Sequence, residues 1–348
     1  MAGATIYDVA ARAGVSIKTV SRVVNREANV SRALREKVEE AVVALGYRRS
    51  LSARALAGSK STIIAALVDA DLTIEHWKSG RGNDYLSRLE LGALMECRQA
   101  EYHLMVELVD HGSANLERDM VALLGSIRPA GVLLTPPNSD HALVLDILDA
   151  AGVAYARISP EKDLARGISV RMDERQAAFD MTRHLIELGH RRIAHISGPA
   201  NYAASSLRRE GYEQALKQAG VPPRPSLIVE GDFTFASGIA GVERLLSGER
   251  PTAVFAANDD MALGVLQGAA AAGISVPLEL SVAGFDDTPS ALFSTPPLTT
   301  IRQPVAEMAA EATRRLLPAV DQDEWAGDDP VVLVPYSLAV RGSTAVCP

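Results

Sequence analysis

Thr5-Ile6-Tyr7-Asp8-Val9-Ala10-Ala11-Arg12-Ala13-Gly14-Val15-Ser16-Ile17-Lys18-Thr19-Val20-Ser21-Arg22-Val23-Val24-Asn25 lies close to the start of the sequence, and its helix ends can be read residue by residue. Thr5 is placed to cap a first helix, with Asp8 three residues on as a short capping box. Ile6, Val9, Ala10 and Ala13 then recur at i, i+3, i+4 and i+7, the spacing of a buried helical stripe. Gly14 suits the left-handed position that ends a helix. Ser16 starts a second helix that turns Val20, Val23 and Val24 inward and Ile17, Lys18, Ser21 and Arg22 outward. Further on, Ser31 is placed to cap a third helix, with Leu34, Val38, Ala41, Val42 and Leu45 facing inward before Gly46.

Two helices joined by a tight glycine-containing turn follow the helix-turn-helix plan. A convex second helix fits the major groove, where Arg and Lys donate to guanine O6 and N7. An ordinary three-helix cap with a polar face has the same periodicity, so charge is the next discriminator. Residues 1–60 carry eleven Lys/Arg against five Asp/Glu, a balance of +6 that leaves −14 for the remainder of a chain whose total is −8. An acidic body repels a polyanion, so any nucleic-acid contact must come through the basic head.

The quoted stretch closely resembles the headpiece of the lac-repressor-type (LacI/GalR) family of bacterial transcription regulators. The likeness continues through Val30-Ser31, Arg35-Glu36-Lys37-Val38, Leu45-Gly46-Tyr47 and Ala53-Arg54-Ala55-Leu56-Ala57-Gly58. It implies DNA contacts from Thr5, Ser16, Ile17, Lys18, Thr19, Ser21, Arg22, Asn25 and Ser31. Residues 50–57 favour helix through Ala53, Ala55, Leu56 and Ala57, yet fall short of the roughly 12–15 residues at which isolated helices become marginal. They are expected to be loose alone and ordered on DNA. In the family this segment is a hinge helix, two copies of which enter the minor groove and pry a base step apart with a leucine. Ala53 and Leu56 take those positions, Leu56 as the apolar wedge.

The chain has 348 residues, 47% hydrophobic and 22% charged, which suits two or three globular domains rather than a disordered or fibrous chain. From Thr62 onward apolar runs alternate with amphipathic helices. The runs at 63–68, 104–106, 131–134 and 153–155 read as buried parallel strands, and those at 193–196, 227–229, 253–256 and 281–285 as a second series. Two such series predict an α/β body of two doubly wound subdomains, with a ligand cleft at the carboxyl ends of the strands. The resemblance extends to this body and implies a periplasmic-binding-protein-like core.

The expected organisation is a headpiece over 1–49, a hinge and linker over 50–61, a first core subdomain from 62–158 with 297–320, and a second from 159–296 with 330–342. Crossings are expected near Ser159, near Asp287–Pro296 and near Asp321–Pro330, with a final strand over 331–340 returning to the second subdomain. The sequence stops at Pro348 without a leucine-heptad tail, which predicts a homodimer rather than a tetramer.

A polyhydroxylated ligand needs bidentate acceptors, fork donors and an aromatic face in one cleft. Leu207-Arg208-Arg209-Glu210-Gly211-Tyr212 resembles the family segment whose arginine grips the effector, which maps to Arg208; a solvated helical arginine is the plainer alternative. The same correspondence places Phe233 where relatives stack an aromatic ring, Asn258 and Asp286 at strand ends facing the ligand, and Gln303 at a crossover within reach of it. Asp259 or Asp260 would cap the helix after Asn258. His190, in Leu188-Gly189-His190, reads as structural. Residues 69–84 make an extended loop relative to the family, where Trp77, Asn83 and Asp84 line the cleft or lie on the surface.

No P-loop, GxGxxG, nucleophile elbow or HExxH is present. The seven histidines show no metal spacing, and Cys97 and Cys347 cannot build a disulfide framework. No cofactor, metal or catalytic residue is expected. No apolar run approaches a membrane span, and the first residues lack the features of a secretory signal, so a cytoplasmic protein is expected. The resulting expectation is a DNA-binding transcriptional regulator, a repressor of a pseudo-palindromic operator controlled by a small effector of the carbohydrate class. A free sugar-binding module or an α/β sugar-phosphate enzyme would lack the DNA-type head.

Overall fold

A computed structural model describes residues 4–24, 29–47, 61–222, 224–322 and 330–348. They form two compact units, one up to Thr62 and one from Ile63 onward. Asn25, Ala53 and Leu56, three of the expected DNA contacts, lie outside the described residues.

The first unit holds helices α1 (Ile6–Ala13), α2 (Ile17–Val24) and α3 (Arg32–Leu45). Thr5 and Asp8 form the reciprocal capping box: the Asp8 carboxylate accepts from the Thr5 backbone N–H at 2.7 Å, and Thr5 Oγ1 accepts from the Asp8 N–H. Gly14 closes α1 at φ 66°, a conformation that costs glycine least. Ser16 Oγ accepts from the Thr19 N–H at 3.1 Å and so caps α2. Val9, Ala10, Val20, Val23, Val38 and Ala41 form the small core. Two expectations fail here. Ser31 stands at the cap position of α3 but its side chain makes no capping hydrogen bond. Leu34, in the first turn of that helix, is exposed, because the core contacts of α3 begin one turn later at Val38.

The second unit contains two six-stranded sheets among the described residues. The first comprises β1 (Ile63–Asp69), β2 (His103–Val109), β3 (Gly131–Leu134), β4 (Ala154–Ile158), β5 (Ile168–Arg171) and β11 (Val331–Leu333), in the order β11-β5-β4-β3-β1-β2. The second comprises β6 (Ile193–Ser197), β7 (Ile228–Glu230), β8 (Ala253–Ala256), β9 (Ser281–Asp286), β10 (Thr299–Arg302) and β12 (Ser337–Ala339), in the order β12-β10-β9-β8-β6-β7. All pairings are parallel except that of β10 with β12. Long helices cover the sheets. The site depends on α4 (Ala70–Ser79), α5 (Asp84–Gln99), α8 (Glu174–Glu187), α9 (Ala203–Gln218), α10 (Phe235–Ser247), α11 (Asp259–Ala271) and α13 (Val305–Gln322); α6 (Leu116–Ile127), α7 (Ala142–Ala151) and the short α12 (Pro289–Phe293) complete the set. No helix among the described residues is long and apolar enough to cross a membrane.

This topology moves the expected boundaries. Residues 168–171 pair with β4 and β11 in the first sheet, so the chain crosses between Arg171 and Glu174 rather than near Ser159. Residues 299–302 pair with β9 in the second sheet, and α13 packs back on the first, so the second crossing falls at Gln303–Pro304. The stretch expected as one strand over 331–340 is two: 331–333 closes the first sheet, and 337–339 adds to the second after a third crossing. In each case a short, partly polar segment gains its ladder partners only in the assembled sheet. The extended loop expected over 69–84 is largely helical. Ala70–Ser79 forms α4, closed by Gly80 at φ 68°.

Candidate ligand cleft and nucleic-acid interface

On the first unit, α2 presents Ile17, Lys18 and Arg22 outward, with Thr19 and Ser21 partly covered. Val20 and Val23, on the opposite side, are buried. The Ser16 and Thr19 hydroxyls meet at 2.9 Å at the start of this helix. The helix therefore offers a cationic, solvent-facing surface on an apolar base, the geometry a major-groove reader requires.

In the second unit a cleft with a cavity volume of about 120 Å³ lies at the carboxyl ends of both sets of strands. Arg208, Phe233, Asn258, Asp286 and Gln303 all line it. From the first sheet Asp69 ends β1, Thr135 and Pro136 follow β3, and Ser159 follows β4; from the second, Tyr202 follows β6, Phe233 follows β7, and Asp286 ends β9. Ser159, Phe233 and Asp286 hold positive φ values of 49°, 66° and 121°. Strained backbone of this kind at three lining positions marks a region shaped for something other than stability.

Arg208 is almost wholly buried on α9. Its Nε donates to Glu174 Oε2 at 2.8 Å, one terminal nitrogen donates to the Ala257 carbonyl, and the guanidinium lies 3.6 Å from the centre of the Phe285 ring. A carboxylate, a carbonyl and an aromatic face thus fix the fork in one orientation. Glu174 also accepts from Gln303 Nε2 at 3.5 Å, so residues at two of the three crossings meet on one carboxylate.

Asn258, expected as a ligand contact, lines the cleft. It caps α11 itself: its Oδ1 accepts from the Met261 N–H at 2.9 Å, and its Nδ2 donates to the Phe233 carbonyl at 2.9 Å. Asp259, offered by the sequence as a cap, is buried and accepts from Thr288 and Thr300. Asparagine satisfies the cap with a short neutral acceptor and spends its amide on the Phe233 loop. The Phe233 ring meets Tyr202 edge-on at 5.4 Å. Gly198 permits this, since a Cβ there would fall 2.2 Å from the Phe233 ring.

The Asp286 carboxyl is pushed up to about 6 chiefly by burial, against the pull of Arg208 and Arg88. Burial, then the Asp286 charge, pushes Asp260 up to about 7. From the first-sheet side Arg88 donates both terminal nitrogens to the Asp286 carbonyl at 3.0 Å. Tyr202 donates to Asp69 Oδ2 at 2.6 Å, and Arg81 lies over the Phe235 ring at 4.1 Å. Of the former loop, Asn83 lines the cleft, whereas Trp77 is exposed and Asp84 is not among the lining residues.

Sequence reasoning missed Asp69, His76, Tyr85, Glu174 and Tyr202, all of which line the cleft. His190 is buried among Thr252, Ser281 and the Ala345 carbonyl, well placed for structural work. Among the described residues no group of three or more His, Cys, Asp or Glu is arranged to hold a metal ion.

Comparison with known proteins covers both units. The sequence signature of bacterial regulatory proteins of the lacI family matches residues 5–50, and that of a periplasmic binding protein-like domain matches residues 182–344. Catabolite control protein A of Priestia megaterium is 35% identical over 98% of this chain and 99% of its own length. The ribose operon repressor of Escherichia coli (strain K12) is 34% identical over 92% of this chain and 94% of its own. Among solved structures, the lac repressor dimer bound to operator and the anti-inducer ONPF superposes with a TM-score of 0.80 at 30% identity, covering 99% of this chain and 100% of that one. The complex of the transcriptional regulator CelR with cellobiose gives 0.73 at 30% identity, covering 98% and 99%. With identity at this level carried through head and body alike, the chain belongs to the lacI family of bacterial regulatory proteins and is a DNA-binding transcriptional regulator.

Proposed function

We propose that the protein is a homodimeric repressor of a pseudo-palindromic operator, and that a small carbohydrate-class effector held in the cleft sets its affinity for DNA. The observation that carries this reading is the convergence of Arg208, Phe233, Asp286 and Gln303 on one cleft between two sheets that the chain joins at three crossings. A ligand bridging the two halves favours one of their relative positions, and it shifts the equilibrium only as far as its affinities for the two states differ. Relatives named for ribose and cellobiose support the ligand class.

A second copy is the partner that suits the exposed apolar surface of the first half. Leu91, Leu94 and Met95 are exposed at i, i+3 and i+4 on α5, beside the edge strand β2 with its exposed Met105 and Leu108. The lac repressor, a relative of the same architecture, is a dimer on its operator. In the dimer, paired heads engage half-sites about one helical turn apart. DNA contacts fall to Thr5, Ser16, Ile17, Lys18, Thr19, Ser21, Arg22 and Ser31, with Asn25, Ala53 and Leu56 added on sequence resemblance alone.

The test combines mobility shifts on genomic fragments with ligand titration by calorimetry. A specific fragment shift that a sugar weakens or strengthens supports the reading. Arg208→Ala or Asp286→Ala should then lower ligand affinity by roughly 1.5–3 kcal/mol each while leaving ligand-free operator affinity near wild type. Unchanged ligand affinity in both variants would remove the cleft from consideration.

A further inference from the structure

Resting on the reading of the cleft as the effector site, we propose that it selects a donor-rich ligand without phosphate or carboxylate, namely a neutral or amino-bearing polyol, and rejects the anionic counterparts. Four carboxylates line the cleft, Asp69, Glu174, Asp260 and Asp286, against one lining arginine, Arg208. Asp69 and Glu174 already accept from Tyr202 and Arg208. No side chain among the described residues donates to Asp260 or Asp286. The neighbouring cations pull on these carboxyls without hydrogen-bonding to them: both Arg88 terminal nitrogens serve the Asp286 carbonyl, and Arg81 lies over the Phe235 ring.

The neutral groups point the same way, and independently of charge. Gln303 is 3% exposed, lines the cleft, and its Oε1 has no hydrogen-bond partner. Its amide orientation is fixed because Nε2 faces the Glu174 carboxylate. Asn83 is oriented likewise, with Nδ2 on the His76 carbonyl and Oδ1 unpartnered. Burial holds His76 below its ordinary value and hence neutral. The buried His76 Nε2 has no hydrogen-bond partner. The free capacity of the cleft is therefore mostly acceptor capacity. Hydroxyl and ammonium groups satisfy it, whereas a phosphate would bring two more negative charges into a cleft lined by four carboxyl groups and one arginine.

The empty cleft should then be strained by its own charge. Burial raises Asp260, with Asp286 and Asp84 adding to the shift and Arg81 opposing it. An acid raised in the folded state binds protons that the unfolded chain releases, so its contribution to stability falls as pH rises from about 4 to about 7. Asparagine mimics the protonated form.

Two measurements on the full chain test the proposal. Without ligand, Asp260→Asn should raise the melting midpoint by about 2–4 °C at pH 8 and leave it nearly unchanged at pH 4.5; an unchanged or lower midpoint at pH 8 overturns the proposal. With ligand, thermal shift at fixed protein concentration compares D-glucose, D-glucosamine, D-gluconate and D-glucose 6-phosphate, and D-ribose with ribose 5-phosphate. A rise confined to the neutral or amino members supports the proposal, and a rise from an acid or phosphate that its neutral counterpart does not give overturns it. If none of these sugars shifts the midpoint, the proposal is overturned. A rise that persists in Arg208→Ala places binding outside the cleft, so the effector site itself fails and the proposal fails with it.

Discussion

The Tyr202 hydroxyl donates to the Asp69 carboxylate at 2.6 Å across the cleft, joining the end of β1 in one half of the body to the start of α9 in the other. Hydrogen bonds to charged groups contribute about 1.5–3 kcal/mol. Tyr202→Phe keeps the ring against Phe233 and removes only this link. It is expected to lower stability by an amount near the bottom of that range and to speed amide exchange over residues 70–79. Chemical denaturation and hydrogen exchange measure the two effects, and wild-type exchange over α4 would show that the bond does not hold the halves together.

Arg208 and Glu174 form a buried pair whose members are not equivalent when removed. Glu174→Ala leaves a buried guanidinium hydrogen-bonded only to the Ala257 carbonyl, with the Asp286 charge nearby, and should cost about 3–5 kcal/mol. Replacing both residues with apolar ones of similar volume, Arg208→Met with Glu174→Leu, should cost less than the single Glu174 change. A double variant as unstable as Glu174→Ala alone would mean that packing, not the unpaired charge, sets the penalty.

On the head, Lys18→Ala and Arg22→Ala should each relax base preference at a defined position by roughly 1–3 kcal/mol. Operator affinity should also fall steeply with salt, since phosphate contacts release counterions. Selection of bound sequences from a random pool measures the preference. Two variants that retain the wild-type consensus would show that α2 does not read bases.

His195 is fully buried between Tyr212 and Phe255, and burial pulls its imidazole down to about 4 despite a contact with the Phe255 carbonyl. The unfolded chain binds this proton near pH 6.5, so the group's contribution is fully present above that pH and is lost as pH falls toward 4. The loss is of the order of 3 kcal/mol. Denaturation midpoints between pH 7 and pH 4.5, compared with those of His195→Met, isolate it. An imidazole resonance that titrates near pH 6.5 in the folded protein would contradict the prediction.

What was legible in the sequence followed the range of the interactions. The Thr5–Asp8 box and the Gly14 stop are contacts within four residues, and both could be read directly. Ile168–Arg171 and Thr299–Arg302 were not read as strands because Ser, Thr and Arg interrupt their apolar character. Only their sheet neighbours make them strands, and the crossings were misplaced with them. Ala70–Ser79 carries Asp71, Glu75, His76 and Lys78 and buries little beyond Ala70, so no apolar stripe announced a helix. Asp69 and Tyr202 are 133 residues apart and Glu174 and Arg208 are 34 apart, beyond any local pattern. The cap of α11 is local too, with Asn258 Oδ1 accepting from the Met261 N–H, yet the sequence reading offered Asp259 or Asp260 for it.

The placement of β11 and β12 also governs how the protein is made. The first sheet is complete only when Val331–Leu333 adds beside β5, and the second only when Ser337–Ala339 adds beside β10. A ribosome that has finished β5 must add roughly 160 more residues before β11 exists, about 8–30 s at about 5–20 residues per second. For that interval the exposed side of β5 is an open edge on a nascent chain, able to pair with another strand. Messages truncated after β10 would yield two sheets that each lack their closing strand, so the short stretch carrying β11 and β12 acts as a checkpoint on the whole body.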